Sequence, residues 1–256
     1  MAVARRGLTE SRARAQALIM GGSVSVDGQV VSRPGAMVGS DSEIELTSEP
    51  NPYVSRGGLK LKAALDAFEI NSAEKTCADI GASTGGFTDV LLRGGARCVY
   101  AIDVGYGQLA WTLRNDPRVA VMERTNIRDV SELPDAIDLV VVDVSFISLK
   151  LVLPIIRRFI APDGYAVVLI KPQFEAGRGE VGKKGVVRDA AVWRRVLNTV
   201  LTEAIEDGWH IRGLMRSPIR GPAGNVEFLA NLSVGPGREL DLDGMIARVT
   251  DEVAAQ

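Results

Sequence analysis

The sequence predicts an α/β protein with a doubly wound, mostly parallel sheet that ends in an antiparallel hairpin, preceded by a small α+β module. Three observations predict it. Short, continuously apolar segments alternate with helical stretches, as expected of strands that helices cover on both faces. The segment TCADIGASTGGFTDVLL, residues 76–92, runs from an apolar strand through a glycine-rich turn into a helix, and CVYAIDVG follows as a second strand. Only a turn separates the last two predicted strands, so they pair as a hairpin.

The first 48 residues are predicted to form a separate module. Thr9 or Ser11 can cap a helix through SRARAQALIMGG, which the glycine pair ends. The alternating SVSVDGQVV contains Asp27-Gly28, a strong hairpin signal, and EIEL supplies another short strand. The predicted division is 1–48 for this module, 49–55 for a proline-containing linker and 56–256 for the larger domain.

The larger domain opens with a helix over about 58–68, where Leu59, Leu61, Leu65 and Phe68 recur at helical spacing. Strands are predicted at about 77–81, 98–103, 119–123, 138–144 and 165–171, and helices at about 85–94, 107–115, 149–160 and 189–207. IRGLMRSP and VEFLANLSV supply the closing hairpin. Seven strands that end in such a hairpin form the layout of a class I (Rossmann-like) methyltransferase.

The composition is that of an ordered globular protein, with 46% hydrophobic and 24% charged residues. A net charge of −2 excludes a uniformly basic nucleic-acid coat, but the positive charge is clustered. Residues 1–34 hold five arginines against two acidic residues, and residues 177–195 hold six cations against two acidic residues. Each cluster is a candidate nucleic-acid contact.

Several protein classes are excluded. Two cysteines and one histidine cannot assemble a metal cluster, so no metal is expected. The apolar runs are too short and too interrupted to span a bilayer, and no charged-then-apolar signal pattern opens the chain. The expected location is the cytoplasm, without membrane association.

The glycine-rich turn predicts the cofactor. Its spacing, Gly81-A-S-T-Gly85-Gly86, is not the dinucleotide pattern G-x-G-x-x-G, and no phosphate-loop sequence is present. A wide turn preceded by Asp79 suits a ligand with an ammonium and a sulfonium, S-adenosylmethionine, better than one with phosphates. Asp79 can orient this turn or receive the ammonium of the ligand; the alternative is that it caps the following helix. Asp103 closes the second strand in the position of a ribose-binding acid.

Asn126, past the third strand, is a weaker candidate for the adenine edge, and a turn-forming asparagine is the alternative there. The predicted cofactor-binding residues are Asp79, Gly81, Ser83, Gly85, Gly86, Phe87, Asp103, Asn126 and Asp143.

Asp143 in VVVDVSF and Lys171 in VVLIKPQFE end two apolar strands, so each needs a partner. One interpretation is a structural ion pair; the other is that Asp143 positions Lys171 at the mouth of the cofactor site. The fourth strand lacks the D/N-P-P-aromatic sequence of amino-group methyltransferases, and neither cysteine is nearby to act on a cytosine C5. A Lys/Asp/Glu set remains, which suits attack by a weakly acidic hydroxyl.

Five segments, YVSRGGLKL, ADIGASTGGFTD, VVDVSFISL, IKPQFEAGR and GNVEF, together resemble the TlyA (hemolysin A) family over nearly the whole chain. The resemblance implies a catalytic domain like the FtsJ/RrmJ enzymes and an N-terminal module like the RNA-binding fold of ribosomal protein S-four. It implies S-adenosylmethionine as cofactor and a cytidine 2′-hydroxyl in small-subunit or large-subunit ribosomal RNA, or both, as substrate. It also implies a tetrad that falls on Lys60, Asp143, Lys171 and Glu227. Family members usually begin several residues earlier, so a shortened first helix is expected.

In this interpretation Lys171 is the base or the group that positions the oxygen, and Lys60 supplies a second positive charge and a substrate contact. Asp143 and Glu227 hold the two ammonium groups. The RNA phosphates would be bound by Arg5, Arg6, Arg12, Arg14, Arg178, Lys183, Lys184 and Arg188. A solvated charged loop is the alternative for the last four. Two other classes stay open: a non-catalytic RNA-binding or ribosome-assembly factor, and a membrane-active hemolysin.

Overall fold

The computed structural model describes residues 2–20, 22–46, 51–177, 179–182, 185–235 and 241–254. Its helices are α1 Ala2–Arg5, α2 Arg12–Met20, α3 Gly57–Ala67, α4 Gly86–Arg93, α5 Trp111–Arg114, α6 Leu153–Ile156, α7 Pro172–Glu175, α8 Ala190–Glu206 and α9 Leu242–Ala254. Its strands are β1 Val24–Val26, β2 Gln29–Val30, β3 Ile44–Leu46, β4 Thr76–Ile80, β5 Cys98–Ile102, β6 Val119–Met122, β7 Ile137–Val142, β8 Ile160–Ile170, β9 His210–Arg216 and β10 Phe228–Ser233.

The N-terminal module packs α1 and α2 on an antiparallel sheet of order β2-β1-β3. The predicted hairpin is confirmed: Val26 pairs with Gln29, and Asp27 and Gly28 both have positive φ, 50° and 74°. Two such residues form the turn whose twist matches that of the strands. The buried apolar side chains of this module are few, namely Val3, Ala15, Ile19, Val24 and Ile44. Both the predicted helix end at Gly21 and the predicted module boundary at residue 48 lie outside the described residues.

Within the described residues, the larger sheet has seven strands in the order β6-β5-β4-β7-β8-β10-β9. β4 to β8 pair in parallel, whereas β10 lies between β8 and β9 and is antiparallel to both. The predicted doubly wound sheet with a C-terminal hairpin is therefore confirmed. The chain order reverses at β4, so the carboxyl ends of β4 and β7 border the crevice where ligands bind in such folds.

Both faces of the sheet are buried because its central strands are apolar throughout. In β7, Val140 and Val142 belong to the apolar layer on one face, and Leu139 and Val141 belong to the layer on the other. All four are fully buried. The continuous apolar runs of the sequence thus place a rigid sheet under the site.

Two predicted helices are shorter than expected. Over 107–115 only Trp111–Arg114 is helical, because side chains hold the preceding amides: Gly105 donates to Asp103 at 2.6 Å and Gly107 to Glu123 at 2.9 Å. Over 149–160 a 3₁₀ turn precedes α6, which begins at Leu153. Pro154 then lies in the first helical turn, where its missing N–H costs no helical hydrogen bond.

Two further differences concern the second half of the chain. β8 begins at Ile160 rather than near residue 165, and its pairing with β7 shifts register between Ile137 and Leu139. No helix was predicted over 242–254, where α9 packs against α8 and β9 with Ile246 and Val249 buried. The apolar spacing of Leu242, Met245, Ile246 and Val249 is the helical signal that could have revealed it.

Candidate active site

The glycine-rich turn joins β4 to α4 and packs directly against the end of β7. Gly81 and Gly85 have φ of 85° and 94°, and Ser83 between them has φ of 48°. A Cβ added to Gly81 would lie 2.5 Å from the carbonyl oxygen of Asp143, and one on Gly86 would collide with the Ser55 hydroxyl. Glycine is therefore required here by close approach as well as by backbone conformation.

Asp79 lies under this turn and is fully buried. Its Oδ2 accepts hydrogen bonds from the amide and hydroxyl of Thr88, at 2.9 and 2.6 Å, while its Oδ1 has no partner among the described residues. Burial raises the pKa of Asp79 to about 7, and the nearby Asp143 and Asp103 carboxylates act in the same direction. One carboxylate oxygen of Asp79 thus contacts the first turn of α4, as the helix-capping alternative requires, and the other remains available to a ligand.

Asp103 follows β5 and organises the other side of the turn. Its Oδ2 accepts from the Ser83 amide at 2.8 Å and its Oδ1 from the Gly105 amide. With Ser83 and Gln108 it lines a small cavity next to the glycine-rich turn. Asn126 lines neither this cavity nor the larger cleft described below; its side chain accepts from the Arg128 amide and caps a 3₁₀ turn. The alternative of a turn-forming asparagine matches this geometry.

Lys60 and Glu227 form a buried ion pair. The Lys60 Nζ lies 2.5 Å from the Glu227 Oε2, and the two side chains are 8% and 1% exposed. Lys60 is carried by α3, whereas Glu227 directly precedes β10. Gly221 approaches the Glu227 carboxylate so closely that a Cβ there would collide with it. Helix α3, which precedes the large sheet, thus places Lys60 next to Glu227, a residue near the end of the sequence.

Lys171 and Asp143 form a second pair at the ends of neighbouring parallel strands. The Lys171 Nζ lies 2.5 Å from the Asp143 Oδ1 and donates to the Ser145 hydroxyl at 3.0 Å. The Lys171 side chain is 10% exposed and the Asp143 side chain 23%. Each of the two ammonium groups therefore has its own carboxylate.

A single cleft of about 670 Å³ brings these groups together. Its lining includes all four residues of the predicted tetrad and most of the predicted cofactor residues, namely Lys60, Asp143, Lys171, Glu227, Asp79, Gly81, Ser83, Gly86 and Phe87. Ser145, Phe146 and Gln173 also line it, as do Met20, Ser32, Arg33 and Pro34 of the N-terminal module. Ser145 and Phe146 belong to the segment VVDVSF at the end of a predicted strand, so the sequence could have indicated that they lie at the site. The part of the cleft wall that the N-terminal module forms depends on how the module packs on the larger domain. No local sequence pattern predicts that packing.

The predicted RNA-binding residues are only partly described. Arg5, Arg12 and Arg188 are exposed. Arg6 is exposed too, but its guanidinium donates to the carbonyl oxygens of Ser42 and Ser40 and pins α1 to the loop before β3. Arg178, Lys183 and Lys184 lie outside the described residues, and so does the side chain of Arg14.

The described residues contain no group of three or more histidine, cysteine, aspartate and glutamate side chains placed to hold a metal ion. Nor do they include a helix whose length and apolarity would let it cross a membrane.

The sheet order and the cleft at the strands' carboxyl ends define a methyltransferase of the doubly wound class. An S-adenosylmethionine-dependent methyltransferase from Mesorhizobium loti shares this fold at 15% identity, with a TM-score of 0.51 over 67% of this chain and 96% of that chain. The model of the FtsJ-like methyltransferases matches residues 53–233, and that of the S4 domain matches residues 1–44. The chain belongs to the FtsJ-like methyltransferase family and carries an N-terminal S4 domain.

Closer relatives cover nearly the whole chain. The 16S/23S rRNA (cytidine-2′-O)-methyltransferase TlyA of Mycobacterium tuberculosis is 48% identical over 94% of this chain and 91% of that protein. A solved structure of a candidate hemolysin from Streptococcus thermophilus is 41% identical, with a TM-score of 0.80 over 99% of this chain and 94% of that chain. The resemblance inferred from the sequence is confirmed.

Proposed function

We propose that this protein methylates the 2′-hydroxyl of a cytidine in ribosomal RNA, with S-adenosylmethionine as methyl donor. The observation that carries the proposal is the pairing of Lys60 with Glu227 and of Lys171 with Asp143 in the cleft that Asp79 and its glycine turn border. The name of the Mycobacterium tuberculosis relative supports the choice of RNA and of atom. We also propose that residues 1–48 form an RNA-binding module, residues 49–55 a linker and residues 56–256 the catalytic domain.

The residues present fit this cofactor. The Asp79 Oδ1, buried without a partner among the described residues, is suited to the ammonium of the methionine part. Asp103 still has lone pairs free to accept from ribose hydroxyls beyond the two amides that it already holds. Gly81 and Gly86 leave the turn without side chains where it borders the cleft. Gly85, also predicted to bind the cofactor, faces the Leu109 and Leu113 side chains instead. The bound cofactor supplies a methyl group activated by a positively charged sulfur.

The chain's own residues are then needed for orientation and for handling one proton. As the ribose oxygen gains the methyl group, its hydroxyl proton must leave. Lys171, at the mouth of the cofactor site, is the group proposed to hold that oxygen, and it takes the proton in its neutral amine form to become an ammonium. Asp143 and Ser145 keep its Nζ in place. Lys60, held by Glu227, would contact the substrate and balance its phosphate charge. Holding the reacting atoms in line supplies much of the rate gain.

A 2′-hydroxyl as acceptor restricts the substrate to RNA, because DNA lacks the reacting atom. The S4 domain and its exposed Arg5 and Arg12 are proposed to bind RNA phosphates, and Arg188 extends this contact on the catalytic domain. Ribosomal subunits are the proposed partners, and the cytoplasm is the proposed location.

The test is transfer of labelled methyl from S-adenosylmethionine to purified ribosomal subunits. We expect incorporation with the unaltered protein and at least a hundredfold less with Lys171→Ala, since positioned proton transfer contributes roughly 10²–10⁴-fold. Lys62→Ala, on the same helix as Lys60 but exposed and paired with Asp66, is the control and should retain the rate. Equal incorporation by Lys171→Ala would contradict the assigned role. Binding of subunits without any transfer would favour a non-catalytic assembly factor, and leakage of liposomes without transfer would favour a hemolysin.

A further inference from the structure

Two segments form the mouth of the cleft and contact each other along their length. The first is a loop that follows β7 over residues 143–149, and the second follows β8 over residues 171–175 and includes α7. The Lys171 Nζ reaches both Asp143 and Ser145 of the first loop. Farther along, the rings of Phe146 and Phe174 lie 4.8 Å apart. The position of the first loop therefore sets the surroundings of Lys171.

Glu175 makes the last contact in this series. One of its carboxylate oxygens accepts from the Ser148 hydroxyl at 2.7 Å, and the other accepts from the Leu149 amide at 2.9 Å. Glu175 does not line the cleft that holds the tetrad; it lines a separate cavity with Ser148 and Glu203. It is therefore placed to hold the loop without touching substrate.

The loop needs such an anchor. Phe146 has φ of 64° and its side chain is 90% exposed. A non-glycine residue in this left-handed region is strained and persists only where its surroundings determine it. Because Phe146 is so exposed, its contact with the Phe174 ring supplies little of that determination. The two ends of the loop must supply it: Asp143 at one end, where β7 stops, and Ser148 with Leu149 at the other.

Glu175 is itself costly to bury, which argues that its contacts matter. Desolvation raises its pKa, while the hydrogen bonds from Ser148 and Leu149 lower it. The Ser148 hydroxyl and the Leu149 amide stabilise the buried carboxylate by donating a hydrogen bond to each of its oxygens. An apolar residue would avoid the desolvation cost but would leave the Leu149 amide without this partner.

We propose that Glu175 is a positioning residue for methyl transfer: its two hydrogen bonds fix the loop 143–149 so that Asp143, Ser145 and Phe146 keep their places around Lys171. The inference rests on the proposed function, since it assigns a role within that reaction. Glu175 acts through the loop and not on the reacting atoms. Its loss should therefore lower kcat while leaving the affinity for S-adenosylmethionine unchanged, because Asp79 and Asp103 lie on other strands.

The test compares Glu175→Ala, Glu175→Gln and Ser148→Ala with the unaltered protein. We expect Glu175→Ala to lower kcat at least tenfold, with the calorimetric Kd for S-adenosylmethionine within twofold and with faster hydrogen–deuterium exchange over 143–149. Glu175→Gln keeps one acceptor oxygen, so its kcat should lie between those of Glu175→Ala and the unaltered protein. The kcat of Ser148→Ala should lie in the same range. The control is Glu203→Gln, which removes an exposed pair with Lys150 in the same cavity and should leave kcat unchanged.

The possible outcomes distinguish a failure of the role of Glu175 from a failure of the proposed function. If the unaltered protein transfers methyl and Glu175→Ala does so at an undiminished kcat, the role of Glu175 is overturned and the function stands. If the unaltered protein transfers none to any ribosomal RNA, the function fails and the role in that reaction fails with it. If Glu175→Ala does not fold, Ser148→Ala decides, because it leaves the carboxylate in place; an unchanged kcat and exchange rate there would overturn the proposal.

Discussion

Lys60 and Glu227 show why a buried ion pair in a cleft indicates chemistry rather than stability. Taking two charges out of water costs several kcal/mol per ion, and well-packed apolar residues would often serve the fold as well. Glu227 is 1% exposed, and its carboxylate is paired with Lys60. The contribution of this pair to stability can be separated from its contribution to activity by changing one partner and then both.

Lys60→Met should therefore destabilise the protein by about 3–5 kcal/mol, because it leaves the Glu227 carboxylate buried without its partner. The double variant Lys60→Met/Glu227→Met should recover most of that free energy of unfolding and none of the methyl transfer. Denaturant unfolding and labelled-methyl transfer are the measurements. Lys62→Met, whose pair with Asp66 is exposed, should change stability by less than about 1 kcal/mol. Recovery of activity in the double variant would mean that the pair is only structural.

Asp79 should make cofactor binding depend on pH. Burial raises its pKa to about 7, so in the free protein the carboxyl is largely protonated below pH 7 and ionised above it. The ammonium of the cofactor favours the ionised form, so binding releases a proton and strengthens as pH rises. We expect affinity to increase roughly five- to tenfold between pH 6 and pH 7.5, following the ionised fraction.

Calorimetry of S-adenosylmethionine binding over that range is the measurement for Asp79. Asp79→Asn should bind more weakly and show little dependence on pH. The same shift has a consequence for stability. The folded state holds this proton more tightly than the unfolded state, so the contribution of Asp79 to stability falls as pH rises from about 4 to 7. A pH-independent affinity in the unaltered protein would argue against an Asp79–ammonium contact.

At the scale of elements, the turn between β4 and α4 brings the proposed cofactor-binding residues together. Three of its residues have positive φ, and Gly81 packs on the carbonyl of Asp143. The turn therefore links the proposed cofactor side of the cleft to the end of β7, where Asp143 belongs to the proposed proton-handling pair. A side chain at Gly81 would separate them.

Gly81→Ala should abolish detectable S-adenosylmethionine binding, at least a tenfold loss, because its Cβ would meet the Asp143 carbonyl at 2.5 Å. Gly28→Ala is the matched control: its φ of 74° is similar, but nothing lies within 4 Å of the added Cβ. Both changes should cost about 1 kcal/mol of backbone strain. Only Gly81→Ala should lose the cofactor. Equal binding by the two variants would place the cofactor elsewhere.

The elements were predictable where one local cause decides the structure. The continuous apolar runs of β7 and β8 and the Asp27-Gly28 turn are such cases. The segment 107–115 was predicted less well, because the Glu123 carboxylate holds the Gly107 amide in a loop. That contact comes from a residue 16 positions away. The spacing of Leu242, Met245, Ile246 and Val249 was present in the sequence and was missed.

At the scale of the whole molecule, the S4 domain does more than precede the catalytic domain. Met20, Ser32, Arg33 and Pro34 form part of the wall of the cleft. The Asn51 amide donates to the Ser23 hydroxyl, and a Cβ at Gly22 would collide with the Arg56 side chain, so the two parts pack closely here. RNA bound by the S4 domain would therefore run along the surface of that domain into the cleft.

RNA binding should depend on salt, because phosphate contacts release counterions. Removal of one such contact, in Arg12→Ala or Arg188→Ala, should weaken binding to ribosomal RNA and reduce the slope of log affinity against log salt by about 1. Filter binding at several salt concentrations measures both quantities. Lys62→Ala removes one charge of the same sign from an exposed helix position and should leave the slope unchanged. An unchanged slope in both arginine variants would exclude them from the RNA contact.

The tetrad shows the limit of prediction from sequence. Asp143 and Lys171 could be paired by reasoning, since both end neighbouring parallel strands. Lys60 and Glu227 stand 167 positions apart on a helix and before a strand, and no local pattern joins them. Only the resemblance to a family pointed to that pair. The wall from Ser32 and Arg33 was not foreseen at all, because it arises from the packing of one domain on another.

The most direct test of the account is the chemical identity of the methylated nucleoside. Ribosomal subunits would be incubated with the unaltered protein and labelled S-adenosylmethionine, digested to nucleosides and separated by mass spectrometry. We expect label in 2′-O-methylcytidine with the unaltered protein and none with Lys171→Ala. Label in a base-methylated nucleoside, or none from a protein shown to be folded and to bind the cofactor, would contradict it.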